Sequence, residues 1–63
     1  MATTMFQPVR ARIRFACKYH FPTEADITAV EKIMRREDPQ FQLLEPRPFG
    51  KLARKAMSEH WKL

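Results

Sequence analysis

Val9, Ala11, Ile13, Phe15, Cys17, Tyr19 and Phe21 hold the odd positions between residues 9 and 21. Arg10, Arg12, Arg14, Lys18 and His20 hold five of the six even positions, with Ala16 the exception. A β-strand sends successive side chains to opposite faces, so this alternation predicts a strand with one apolar and one cationic face. A solvated face needs polarity, not a row of like charges. Unless acidic residues lie across it, the row calls for an acidic partner, and it is also the pattern of a charge-guarded edge strand.

Length sharpens the question of what covers such a strand. A 63-residue chain is one small domain with marginal capacity to bury a core. Domains of this size lean on disulfides, a metal or oligomerisation. Cys17 is the sole cysteine, which excludes an internal disulfide and suits a reducing compartment. One Cys and two His do not fill a four-ligand zinc site without carboxylates. Oligomerisation remains, and a homodimer through the strand at 9–21 is the expectation.

The net charge of +5 is unevenly spread: +4 over residues 1–23, −3 over 24–46 and +4 over 47–63. Positive ends around an acidic middle bear on partners rather than on fold. No apolar run approaches the ~20 residues of a membrane span. The N-terminus lacks the basic-then-apolar pattern of a secretory signal, so the expected location is the cytoplasm, at the nucleoid or in a host cell, and not outside it. The acid-free first 23 residues have a transit-peptide composition, but a helical reading of them strands Phe15 and Tyr19 off the apolar stripe.

Along the chain, residues 1–7 show no period and read as a flexible arm before a single α+β domain at 8–63. Pro8 suits the first position of a strand. Thr23 with Asp26 three residues later predicts an N-cap in a shortened capping box. Ile27, Val30, Ile33 and Met34 then recur at helical spacing, and Pro39 stops that helix by Asp38. Glu31 and Arg35 are set for an i,i+4 pair. Residues 40–45 read as a short strand or extended segment, and Pro46-Arg47-Pro48 as a stiff connector. Phe49, Leu52, Ala53, Ala56, Met57 and Trp61 mark a second helix over about 48–62, with Lys51, Arg54 and Lys55 on its outer faces.

Cys17 and His20 have Cys-x-x-His spacing but point to opposite faces of a strand, so Cys17 is expected in the core. Glu59 and His60 diverge by about 100° on a helix and make no ready acid–base pair. There is no phosphate-cradling glycine loop, nucleophile elbow or paired-carboxylate site. A chain this short has little room for a ligand cavity of ~300 Å³. No catalytic residue, metal or cofactor is expected, and the chain is not read as an enzyme.

Phe15-Ala16-Cys17-Lys18-Tyr19-His20-Phe21-Pro22-Thr23-Glu24, with the helix that follows to residue 37, resembles the start of ribbon-helix-helix repressors of the MetJ/Arc type. The resemblance implies two chains pairing their strands into a ribbon in the DNA major groove. Ala16, Lys18 and His20 would then face bases, Phe15, Cys17, Tyr19 and Phe21 the core, and the C-terminal helix would serve as the second helix.

The expectation is a long N-terminal strand, a helix, a short strand and a C-terminal helix. It would act as a small DNA-binding regulator, with Arg10, Arg12, Arg14, Lys18, His20, Lys51, Arg54 and Lys55 as contacts. The alternative is a protein-interaction module or inhibitor whose basic face or free edge docks on an acidic protein. RNA ranks below DNA, because base stacking would require Phe15 and Tyr19 to be exposed, and the alternation puts them opposite the basic row.

Overall fold

Val9, Ile13, Ala16 and Cys17 are spaced i, i+4, i+7 and i+8. At 100° per residue they fall on one narrow stripe. In a computed structural model, which describes residues 8–62, this stripe wins: Val9–Ala16 is a helix, α1, with Ile13 fully buried on it. The strand predicted over 9–21 is therefore corrected to a helix. A helix pairs its own backbone groups, whereas a lone 13-residue strand needs a neighbour on both edges. The one position that broke the alternation, Ala16, is the one the helical stripe needs.

Cys17 ends α1 and is itself fully buried; its N–H donates to Ile13 O at 2.9 Å. One 3₁₀ turn, Lys18–His20, follows. Phe21 then takes a left-handed conformation (φ 47°, ψ 59°), rare for a bulky residue. Pro22 disfavours a right-handed helical residue before it, so the chain turns there.

Helix α2 spans Glu24–Glu37 and opens on the capping box read from the sequence. The Asp26 N–H donates to Thr23 Oγ1 at 3.1 Å, and the Thr23 N–H donates to Asp26 Oδ2 at 2.9 Å. Ile27, Val30 and Met34 are fully buried, with Ile33 at the core margin. Pro39 ends the helix with Asp38 as C-cap.

The second expected strand is also corrected. Phe41–Leu43 is a 3₁₀ turn, held by Asp38 Oδ1 accepting from the Gln40 N–H at 3.0 Å. It drops Phe41 wholly into the core. Helix α3 spans Pro46–Trp61. Pro46-Arg47-Pro48 is thus its first turn rather than a connector, since first-turn N–H groups have no intrahelical acceptor and proline loses nothing there. Phe49, Ala53, Ala56 and Met57 are buried on it.

The architecture is all-helical, not α+β: α2 packs on α3 most extensively, and α1 lies against both. Among the described residues, ten buried apolar side chains form one core shared by all three helices and the 3₁₀ turn at 41–43. No strand occurs among the described residues, so the free edge that motivated a homodimer through 9–21 is absent there. No described helix is long and apolar enough to cross a membrane. The arm expected at 1–7 lies outside the described residues.

Candidate functional site

On a strand Arg10, Arg12 and Arg14 share a face. On a helix Arg12 points about 200° from Arg10, while Arg10 and Arg14 lie within about 40° of each other. The three arginines consequently do different work. Arg10 and Arg14 turn toward α2. Arg10 donates to Glu24 Oε1 at 2.7 Å and to Glu31 Oε1 at 3.2 Å, and Arg14 pairs with the other Glu24 oxygen. These bonds hold the Glu24 carboxyl below its ordinary range, Arg10 first and Arg14 second, and raise the Arg10 guanidinium. The acidic middle of the chain is thus answered from within.

Arg12 turns to the other flank. Its two Nη groups donate to the backbone carbonyls of Gln42 at 3.3 Å and Leu44 at 3.0 Å. Its guanidinium carbon lies 3.9 Å over the Phe49 ring. Phe49 stacks on Phe41 at 6.3 Å, and Arg35 sits 5.5 Å over the Phe41 ring. Each of the two core phenylalanines thereby has one arginine over its ring, a contact favoured by the negative face of the ring. Among the described residues Arg12 meets no carboxylate, so no described acid compensates its charge.

The remaining expected contacts divide as follows. Lys55 pairs with Glu37 at 3.2 Å, and that bond holds the Glu37 carboxyl low. His20 stacks on Trp61, centroids 5.0 Å apart and planes 19° from parallel. Lys18 has no carboxylate partner among the described residues; its ammonium lies 5.0 Å from the Phe15 centroid and 5.2 Å from the Tyr19 centroid. Lys51 and Arg54 also make no ion pair among the described residues.

Arg12, Lys18 and Arg54 converge on one feature, an open cleft of about 740 Å³ between α1 and the start of α3. Phe15, Tyr19 and Phe49 supply its aromatic lining, and Gly50 leaves its α3 side low. None of its lining residues is acidic. The sequence left little room for a ligand-sized cavity, and this hollow is an open surface cleft rather than an enclosed one. The hollow lies between helices at the surface, so it takes no volume from the core.

Phe15 and Tyr19 are the residues the strand reading misplaced. It put them in the core, whereas they are 72% and 80% exposed. The signal was present: a helical reading of 9–19 leaves both rings off the apolar stripe, and that is where they are. Phe21, expected inside as well, is 85% exposed.

Cys17 and His20 do not meet, one being buried and the other exposed on Trp61. Burial, helped by the Asp26 charge, pushes the Cys17 thiol up, and a buried protonated thiol is a poor nucleophile. Glu59 and His60 diverge onto separate partners, Arg36 at 2.7 Å and Asp26 at 2.9 Å. The His60 bond, followed by the Thr23 N–H, lowers the Asp26 carboxyl. Among the described residues no three His, Cys, Asp or Glu side chains gather as a metal site.

Comparison with protein families, with curated proteins and with solved structures finds no match for this chain.

Proposed function

We propose that this chain is a small nucleic-acid-binding protein that uses the cleft between α1 and α3. One observation carries the reading: two exposed aromatic rings, Phe15 and Tyr19, border a hollow lined by Arg12, Lys18 and Arg54 and by no carboxylate. Cations without acidic partners neutralise phosphates and release counterions. Exposed rings beside them offer stacking surfaces for bases. The strand reading set these rings opposite the basic row and so ranked RNA below duplex DNA. Phe15 and Tyr19 instead line the cleft together with Arg12, Lys18 and Arg54, and that objection falls away.

The rival reading, docking on an acidic protein, is less well supplied. Arg10 and Arg14, expected contacts under either reading, are engaged by Glu24 and Glu31, and an acidic protein surface gives no use to the two exposed rings beside the remaining cations. The described residues hold no strand edge for a partner's sheet to extend.

The test is fluorescence polarisation of labelled oligonucleotides against the full chain, freed of nuclease and co-purified nucleic acid, at several salt concentrations. Affinity is expected to fall linearly on a log–log salt plot, and Lys18→Ala and Arg54→Ala to weaken it. An absence of binding at low salt would sink the proposal.

A further inference from the structure

We infer that the cleft selects single-stranded nucleic acid, with unpaired bases on Phe15 and Tyr19 and the phosphate backbone led away along α3. This rests on the nucleic-acid reading and narrows it to a substrate class.

Flat aromatic faces serve bases that have left their stack. In a duplex those faces are already covered, and recognition passes through groove edges and phosphates instead. Phe15 and Tyr19 are mostly in water, a costly placement for large rings, and both line the same concave surface. Lys18 Nζ lies 5.0 Å from the Phe15 centroid and 5.2 Å from the Tyr19 centroid, so the two rings are neighbours, their centroids no further apart than those two distances together. Neighbouring nucleotides of an open strand can reach both rings, and the ammonium beside the rings is placed for the phosphate or base edges that join them. The apolar floor, Ala11, Ala16, Pro46 and Phe49, suits a base and offers nothing to a phosphate.

The second observation is the basic stripe of α3. Arg47, Lys51 and Arg54 are spaced i, i+4 and i+7, within about 60° of one another around the helix. All three are exposed and none forms an ion pair among the described residues. Arg54 belongs both to this stripe and to the cleft lining, so the two surfaces are continuous. A strand whose bases enter the cleft meets an acid-free cationic track for the phosphates that follow.

The experiment compares four probes on the full chain by polarisation: oligo-dT and oligo-rU of about 12 nucleotides, within the range one small binding module covers, the matching dT·dA duplex, and poly-glutamate. Both single strands are expected to bind at least tenfold more tightly than the duplex. Phe15→Leu and Tyr19→Leu should each lower single-strand affinity by about tenfold and leave the duplex unaffected. Leucine keeps the apolar surface and removes only the stacking face, and the exposure of both rings spares the fold, as circular dichroism would verify. Arg47→Ala and Lys51→Ala should each reduce the salt slope by about 0.7. Equal affinity for duplex and single strand, or indifference to both leucine variants, overturns this inference while the nucleic-acid reading stands. Preference for poly-glutamate, or no binding to any nucleic acid, overturns both. A preference between oligo-dT and oligo-rU identifies the source of the strand.

Discussion

Arg12 is expected to be the most consequential surface-reaching side chain for stability. Its guanidinium donates to Leu44 O at 3.0 Å and Gln42 O at 3.3 Å, and lies 3.9 Å over Phe49. It thereby ties α1 to the turn at 41–45 and to α3 at once. A hydrogen bond to a charged group contributes about 1.5–3 kcal/mol. The half-buried position and the longer Gln42 contact argue for the low end. The stack on Phe49 adds about 0.5–1 kcal/mol, and one group makes all three contacts, so they do not sum freely. Arg12→Ala should then destabilise by about 2–3 kcal/mol. Unfolding entropy of about 2.1 cal/mol/K per residue over a chain this short makes each kcal/mol worth nearly 8 °C of Tm, giving a fall of about 15–23 °C. Arg12→Lys keeps the charge but loses the planar fork and the stack, and should fall about half as far. Thermal melts followed by circular dichroism read both. Because its acceptors are neutral carbonyls, the Arg12 loss should persist in high salt, whereas any loss from Arg10→Ala should shrink as its exposed ion pairs are screened. If Arg12→Ala melts within about 2 °C of the parent, well inside the shift worked out above, the guanidinium does not hold the turn and the account of this flank is wrong.

Phe21→Gly removes a left-handed strain of about 1–2 kcal/mol, partly offset by glycine's entropy of about 0.5–1 kcal/mol. Since Phe21 packs little, Tm should rise by a few degrees, and a fall would show that its ring is engaged. Gly50→Ala, inside α3 with a new Cβ no closer than 3.4 Å to Arg54 Nη1, should stabilise by about 0.5–1 kcal/mol in denaturant titrations. A loss would mean that the neighbouring side chains cannot accommodate a methyl group. Acid should destabilise the fold. The Glu24, Asp26 and Glu37 carboxyls are all held below their ordinary values of 4.5, 3.8 and 4.5. Their contribution is therefore complete above about pH 4.5 and is lost as pH falls through the lowered folded values. A Tm profile flat from neutrality into strong acid would contradict those pairings, and Asp26→Asn should flatten part of a sloping one.

Local signals were readable wherever one residue type leaves few options. Thr23 and Asp26 satisfy each other at the start of α2, and Pro39 forbids its continuation. Both were evident without coordinates. So was the stripe from Phe49 to Trp61, although the helix begins earlier because Pro46 and Pro48 are tolerated in a first turn. The Glu31–Arg35 pair appears at 3.1 Å as its spacing suggested. Residues 40–45 failed for a different reason. Their short alternation carried no partner, and burial of the single ring of Phe41 outweighed it.

Residues 9–21 divide most clearly what the sequence by itself determined from what only tertiary structure decided. The sequence determined that Ile13 and Cys17 would be inside, since both the two-residue and the 3.6-residue period place them on the apolar side. It also determined a basic N-terminal segment and an acidic middle over residues 24–46. It could not decide between the periods, because Val9, Ile13 and Cys17 satisfy both. Nor could it say which arginines remain free, because charge along a chain does not specify which groups meet across it. Packing made that choice. By laying α1 beside α2, the fold spends Arg10 and Arg14 on Glu24 and Glu31. It turns Arg12 onto Phe49 and leaves Phe15, Tyr19 and Lys18 facing the cleft.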